Sequence, residues 1–320
     1  MADPGGVVAL AGGVGGGKLA TGLQAQIGNR LTVVVNTGDD LERHGLPIWP
    51  DHDSVLYALA GVDDRERGWG LRDESWTVIE QLERLGQDTW FRLGDRDIAT
   101  HLIRAELLRA GSRPTEAARR LQVAFGLSAR ILPMSDEPVR TEVRTDDGWL
   151  DFQEYFVHRR QEPTVHEVRF SGAESAAATW EVTTAIGSAA VIVVAPSNPI
   201  VSIAPILAVP GIAAAIDAAR KRRARVVAVS GIVGGKALKG PADRMLASLG
   251  HEPTALGVAR LYAEWVDVFV LDNVDADLAP LVAALGLRVA VTDTIMTDDA
   301  ARARLAREVL ELGGAPQAGS

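Results

Sequence analysis

Four aspartates and two glycine-rich loops are the parts of this 320-residue sequence whose residue types and spacing can do chemistry. The first loop reads Gly12-Gly13-Val14-Gly15-Gly16-Gly17-Lys18, between an apolar run and a stretch of helical periodicity. A strand, a Gly-rich turn and a helix present free backbone N–H groups and the positive end of a helix to a phosphate. The aspartates follow, in Asn36-Thr37-Gly38-Asp39-Asp40 and Pro50-Asp51-His52-Asp53. Hard divalent cations choose carboxylate oxygens, and magnesium typically takes one or two of them together with substrate phosphates. A phosphate loop beside carboxylates therefore points to a nucleotide and a divalent metal, although any single one of these acids also suits a helix N-cap. Farther on, Ser197 and Asn198 follow a strand and offer hydrogen-bonding groups to a base, sugar or phosphate. A second glycine-rich loop, Gly231-Ile232-Val233-Gly234-Gly235-Lys236, would add phosphate donors from the other half of the chain. Residues 90–97 crowd charges, Arg92 and Asp95 among them, beside Trp90 and Phe91, as the wall of a site for a planar, anionic or polyhydroxylated ligand would.

Two familiar motifs fit only in part. Gly12-x4-Gly17-Lys18 matches most of a P-loop, but Leu19 stands where a Ser or Thr would hold magnesium. Gly13-x-Gly15-x-Gly17 approaches a dinucleotide fingerprint with its third glycine one residue early. The number of glycines in this loop exceeds what close packing alone would need, which favours phosphate contact and leaves the role of Lys18 open.

These groups need a scaffold, and the pattern supplies one. Apolar runs at residues 7–11, 31–35, 130–133, 191–194, 225–229, 266–271 and 287–291 read as strands. Helical periodicity covers the stretch after the first glycine loop, the one that starts near Asp51 and Asp53, residues 75–85, 98–110 and 115–125, and finally 275–285 and 297–312. Thr145-Asp146-Asp147-Gly148 between two short β-like runs reads as a hairpin, and residues 152–170 extend a β-rich piece. The expected class is α/β: one domain with a Rossmann-like parallel-sheet core and helices on both faces. That core spans about 5–60 and 186–312, interrupted by a helical and small β-rich insertion at about 61–185. The tail after Leu312 is expected to fray.

Composition narrows the partners. A formal net charge of −9 argues against a general nucleic-acid or membrane-surface binder, so an anionic ligand must be met by locally placed cations and backbone donors. With no cysteine there are no disulfides or thiolate metal sites, which fits a cytoplasmic location. No apolar run is long enough to span a membrane.

Taken together and in order, Gly12-Gly13-Val14-Gly15-Gly16, Asn36-Thr37-Gly38-Asp39-Asp40, Pro50-Asp51-His52-Asp53, Leu93-Gly94-Asp95-Arg96-Asp97, Pro196-Ser197-Asn198-Pro199 and the Gly231 loop resemble the 2-phospho-L-lactate transferase family of coenzyme F420 biosynthesis. The resemblance implies a reaction in which the terminal ribityl hydroxyl of the deazaflavin Fo attacks the acid-bearing phosphorus of a GDP-activated phospho-acid. GMP leaves and a phosphodiester forms. The acid would be 2-phospho-L-lactate, phosphoenolpyruvate or 3-phosphoglycerate. It further implies Mg2+ with Asp39, Asp40 and Asp51 as catalytic and metal residues, Asp51 foremost. Asp53, Arg92 and Asp95 would bind Fo, with Arg92 where many relatives have lysine. The nucleotide and its phosphates would fall to Gly12, Gly13, Val14, Gly15, Gly16, Ser197, Asn198, Gly231, Gly234 and Lys236, and the molecule would be a homodimer. The competing expectation is a regulatory protein of the gluconeogenesis-factor type, which would bind a nucleotide sugar or dinucleotide without turning it over.

Overall fold

The computed structural model describes residues 5–315. Along the chain the strands are β1 (Val7–Ala11), β2 (Leu31–Val35), the hairpin β3 (Leu41–Arg43) and β4 (Leu46–Ile48), β5 (Arg130–Pro133), β6 (Arg140–Thr145), β7 (Gly148–Asp151), β8 (Glu167–Ser171), β9 (Val191–Val194), β10 (Arg225–Val229), the hairpin β11 (Ile232–Val233) and β12 (Lys236–Ala237), β13 (Val268–Asp272) and β14 (Arg288–Thr292). Seven form one sheet in the order β14-β13-β10-β9-β1-β2-β5, and every pairing in it is parallel.

Continuous Val/Ile/Leu runs give strands that are buried on both faces. Along β1, Val8 and Leu10 enter one core, while Val7, Ala9 and Ala11 enter the other. The second of these cores is closed by α1 (Gly13–Ile27) and α2 (Pro50–Ala60), through Leu19, Leu23 and Leu56. Three helices, α3 (Thr77–Arg84), α4 (Asp95–Arg109) and α5 (Pro114–Ala124), follow. The first core is closed by α6 (Trp180–Ser188), α7 (Ala204–Ala208), α8 (Ile212–Lys221), α9 (Ala242–Ser248) and α10 (Ala255–Tyr262), through Val182, Ile206, Ile216, Leu246 and Leu256. After the short α11 (Ala279–Ala283), α12 (Asp299–Gly313) returns to α1's side with Leu305 and Val309. Helices thus cover both faces, as the pattern predicts. Among the described residues no single helix is long and apolar enough to cross a membrane.

The structure departs from the sequence pattern in three places. β5 falls inside the expected insertion yet pairs with β2 through Thr32↔Arg130 to Val35↔Pro133, so the insertion completes the main sheet. Only β6, β7 and β8 form a separate antiparallel sheet, with Thr145↔Gly148 closing the expected hairpin. Residues 154–158 form a wide helical turn rather than a strand, and Tyr155 packs with Phe152, Val201 and Met245. The expected helix at 275–285 breaks into a 3-10 turn (Asn273–Leu278) and α11, because Pro280 has no N–H with which to carry the first segment's bonding onward. Beyond Leu312, α12 ends at Gly313 with Gly314 at φ 73°, and residues 316–320, where fraying is expected, lie outside the described residues.

One glycine in α1 fixes how closely the helices approach. A Cβ on Gly22 would run into the backbone carbonyl of Arg302 in α12, and a backbone atom cannot step aside as a side-chain tip can. Gly22→Ala is therefore expected to destabilise the protein by about 1–3 kcal/mol, the usual cost of overpacking. Denaturant melts check this, and an unchanged midpoint would mean that the α1–α12 contact yields without strain.

Candidate active site

In an open α/β sheet the ligand crevice lies beyond the carboxyl ends of the strands, where neighbouring strands depart in opposite directions. Here that point falls between β1 and β9. The chain runs outward from β1 through β2 to β5, then crosses to β9 on β1's other side. Ser197, just past β9, latches the two sides: its hydroxyl donates to the Gly12 carbonyl (2.8 Å) and accepts from the Gly12 N–H (3.1 Å). Around this latch opens a cleft of about 570 Å³, within the range of small-molecule sites.

The first glycine loop is built for close approach. A Cβ on Gly12 would meet Asp51 Oδ2 at 2.5 Å, and one on Gly15 would strike the Pro196 carbonyl oxygen. Gly16 is pressed against Ala11 and the Ser197 hydroxyl, and Gly17 lies 3.1 Å from Ala58 Cβ on the same measure. Packing thus accounts for four of the loop's five glycines, more than the sequence led one to expect. Gly13 is the exception, with φ 59° and a backbone N–H bonded to Asp51. Gly12, Gly13, Val14 and Gly15 still line the cleft, and α1 starts there without a side-chain cap.

The acids gather as the sequence predicts. Asp39 leaves β2, Asp51 stands in the first turn of α2 behind Pro50, and one Asn36 side-chain nitrogen donates to both, at 3.0 and 2.9 Å. Asp39 and Asp51 are 6% and 5% exposed and both line the cleft. Burial, then the negative charge of Asp51, pushes the Asp39 carboxyl well above the usual range. Burial also pushes Asp51 up to about 6, against the pull of Asn36 and Gly13. Asp40 stands behind the cleft wall rather than on it, and its Oδ1 has no hydrogen-bond partner. Burial raises its pKa also, opposed by Arg140 and Arg104.

This arrangement predicts a pH-dependent stability. Where the folded pKa of an acid is raised, the folded state keeps a proton that the unfolded state has released, so stability falls as pH rises between the two values. For Asp51 that window runs from the ordinary aspartate value of 3.8 to about 6. Without divalent cations, Asp51→Asn should match wild type below the window and exceed it by up to about 3 kcal/mol above it. Melts of both proteins across this range check the sign. A constant difference would remove Asp51 from the repelling pair.

Asp53 points elsewhere. Its carboxylate is paired with the fully buried Arg104 and accepts from His52 Nδ1 at 3.0 Å, with His101 Nδ1 at 3.7 Å. Burial alone would raise its pKa, but Arg104 and the His52 hydrogen bond overcome it and hold the carboxyl well below the usual range. Because a guanidinium only donates, the Arg104–His101 contact of 2.9 Å makes His101 Nδ1 an acceptor and places its proton on Nε2, 3.3 Å from Asp97 Oδ1. Tyr57 donates to the same Asp97 oxygen at 2.6 Å. Asp53, Asp97 and His101 bring ligand atoms within 4.8 Å of one another, yet Arg104 already supplies the positive charge that a metal would bring. Asp53 reaches the cleft wall as the anchor of this network, with its Oδ2 left without a hydrogen-bond partner.

Other expected residues divide between cleft and scaffold. Arg92 lines the cleft, its guanidinium 5.2 Å from the Trp76 ring, and Trp90, Phe91, Phe152 and Phe156 add apolar wall. Asp95 does not line it: its two oxygens take the Ser75 hydroxyl (2.7 Å) and the Thr77 and Val78 N–H groups (3.1 and 3.0 Å), which caps α3. Ser197 and Asn198 line the cleft, although Asn198 Oδ1 is engaged by the N–H groups of Ile200 and Val201.

The second loop corrects the expectation most. It is the β11–β12 hairpin, turned by Gly234 and Gly235 at φ 57° and 74°, and the Gly234 N–H is taken by Asp275 (3.0 and 3.2 Å). Two central residues at positive φ are what a tight hairpin turn demands, and that is why glycines stand there. Gly231 is wedged against Pro196 and Ser197, and Lys236 is mostly exposed, its Nζ 3.3 Å from Asp243. Gly231, Gly234 and Lys236 all stand off the cleft, whereas Lys239, three residues on, lines it. The glycine-rich, lysine-bearing stretch that ends at Lys239-Gly240 did signal phosphate donors, but the sequence carried no signal for Tyr57 or Arg104, each a single residue on an otherwise ordinary stretch.

A family model described as 2-phospho-L-lactate transferase CofD matches residues 7–305. The chain belongs to the 2-phospho-L-lactate transferase family. Within it, the protein is similar to a phosphoenolpyruvate transferase of Kitasatospora aureofaciens, 41% identical over 98% of this chain and 99% of that one. It is also similar to a 2-phospho-L-lactate transferase of Methanosarcina acetivorans, 39% identical over 96% and 98%. A solved structure from Bacillus halodurans, of a UPF0052 family protein, superposes with a TM-score of 0.63 at 18% identity, covering 95% of this chain and 99% of its own. At that identity the likeness shows the fold alone. As a member of the transferase family the protein is an enzyme.

Proposed function

We propose that this transferase joins a GDP-activated phospho-acid, of the phosphoenolpyruvate or 2-phospho-L-lactate type, to the deazaflavin Fo, forming a phosphodiester and releasing GMP. The observation that carries the reading is the buried Asp39–Asp51 pair facing a 570 Å³ cleft beside an uncapped helix N-terminus. Phosphoryl transfer needs positioning and charge neutralisation more than covalent help from the protein, and this cleft offers both.

The residues fit a magnesium ion. Two buried carboxyls, both raised by burial and Asp39 further by the charge of Asp51, with an unpartnered Asp40 oxygen nearby, form a site whose full ionisation calls for a hard cation. Asp51 and Asp39 would hold the ion, which when bound supplies charge neutralisation on the diphosphate. The chain's own groups do the rest. The start of α1 and the residue 12–15 backbone orient the phosphates, and Asn36 fixes the two carboxylates. A carboxylate oxygen of that pair accepts the proton of the attacking hydroxyl. Arg92, with the aromatic wall from Trp90 to Phe156, gives a planar acceptor a stacking surface and a cation. We further propose a cytoplasmic enzyme that works as a homodimer.

The test is direct. Purified protein is given Fo, Mg2+ and the GDP-activated forms of phosphoenolpyruvate, 2-phospho-L-lactate and 3-phosphoglycerate in turn, and products are weighed by mass spectrometry. An Fo phosphodiester with stoichiometric GMP is expected from at least one donor. Absence of product from all three, alongside tight binding of a nucleotide sugar or dinucleotide, would replace the transfer reaction with a regulatory role.

A further inference from the structure

Beside the main cleft lies a smaller cavity of about 90 Å³ that shares Val14, Ser54, Tyr57 and residues 68–70 with it. Its wall carries two cations that the fold leaves partly unanswered. Lys18, on α1, is partly buried and makes no hydrogen bond or ion pair among the described residues. Arg302, on α12, is 3% exposed; it donates to Asp299 at 3.1 Å and leaves its Nε without a partner. Lys239 enters the main cleft from the opposite side, with its Nζ on the Gly68 carbonyl.

The acids at the annex are shared among several cations: Asp299 between Arg65 and Arg302, and Asp64, on the annex wall, with Arg67. Asp63, also on that wall, faces Arg65 at 3.7 Å with its Oδ1 free of hydrogen bonds, and offers Lys18 only partial compensation. Burial and the charge of Arg302 lower the Lys18 pKa, and burial and the charge of Lys18 lower that of Lys239. Lys18 and Arg302, which repel each other on the wall of a small, partly dry space, are most simply satisfied by a compact anion between them.

We propose that this annex is an anion subsite in which Lys18 and the Arg302 Nε–H bind the carboxylate of the phospho-acid being transferred. The assignment rests on the proposed reaction and on position. The annex shares Val14 with the cleft, in the loop where the donor's diphosphate would lie, so the substituent on the transferred phosphorus is the part of the donor nearest to it. GDP and GMP have no carboxylate. The annex therefore recognises the loaded donor and lets the leaving nucleotide go.

Trp69 lines both spaces, so tryptophan fluorescence can follow occupancy without turnover. Wild type, Lys18→Gln and Lys18→Arg are titrated with phosphoenolpyruvate, inorganic phosphate and GDP. Lys18 makes no hydrogen bond among the described residues, so the variants should fold normally. Lys18→Gln should weaken phosphoenolpyruvate at least about tenfold, the loss of one charge-assisted hydrogen bond. GDP should stay within about twofold, and Lys18→Arg should recover most of the loss. In turnover the same variant should raise the donor KM with little change in kcat. Equal weakening of GDP, no weakening of phosphoenolpyruvate, or no binding of phosphoenolpyruvate to wild type would overturn the subsite. Inorganic phosphate that binds as tightly and loses as much would assign the annex to free phosphate instead. Because the binding readout needs no catalysis, a wild type that binds in this way yet makes no Fo product would sink the reaction and leave the subsite standing.

Discussion

Arg104→Met is expected to cost about 3–5 kcal/mol, the loss that follows when one partner of a buried ion pair is removed. Few side chains in the molecule are so fully committed. Arg104 is 0% exposed, pairs with Asp53, contacts His101 Nδ1 at 2.9 Å and the Pro47 carbonyl at 3.1 Å, and lies 4.3 Å from the Trp49 ring centroid. Methionine fills much of the volume but leaves the Asp53 carboxylate in a dry site, where it must take a proton or stay charged at high cost. Adding Asp53→Asn should recover a good part of the loss, because the double variant no longer buries a lone charge. Denaturant melts of wild type, both single variants and the double variant near neutral pH decide it. A cost under about 1 kcal/mol, or strictly additive losses, would show that the pair is not what holds α2 to α4. The wild-type pair has its own pH signature. Because the folded pKa of Asp53 is depressed, the stability it contributes is full above the unfolded value and is lost as pH falls below it.

Asp51→Asn should remove about a thousandfold or more of the turnover while leaving a protein that, without divalent cations, is more stable than wild type at neutral pH. These opposite signs follow from one fact: Asp51 is a carboxyl buried away from water, where its charge is costly and also raises the pKa of Asp39, and a cation bound there would relieve both. Asparagine keeps the shape and the Asn36 contact but gives up the charge. Asp95→Asn serves as the contrast, since that carboxylate caps α3 outside the cleft and its loss should touch stability far more than kcat. Steady-state rates with the preferred donor, taken beside melts in chelator, test the pair of expectations. Near-wild-type turnover in Asp51→Asn would shift the chemistry to Asp39 alone.

The central sheet was plain in the sequence because its strands are buried on both sides, so each is an unbroken apolar run such as Val33-Val34-Val35 or Val191-Ile192-Val193-Val194. The acid pair was legible for a related reason: Asp39 and Asp51 sit where a strand ends and where a helix begins, positions that local pattern marks. The second glycine loop misled, since Gly234 and Gly235 meet the demand of a hairpin for positive φ and a phosphate cradle shows the same residues. Asp95 misled in the same manner, its helix-capping duty being as common for aspartate as ligand binding. Local pattern marked Lys18 only as the end of a near P-loop and Lys239 only as part of the second loop, and it did not mark Arg104 at all. Their roles arise from chain segments that meet only after folding, as when Arg104 of α4 reaches Asp53 of α2.

The place of β5 bears on how such a chain is made. β2 emerges early in synthesis, but its outer partner does not arrive until residue 130, after α2 through α5 have been added. Until then the edge of β2, rich in Val33, Val34 and Val35, offers unpaired backbone groups to any neighbouring chain, the usual start of edge-to-edge association. Excising residues 61–185 to obtain a minimal enzyme would make that transient exposure permanent. A shortened version of this protein would need to keep β5, or put another strand in its place, before it could be expected to stay in solution.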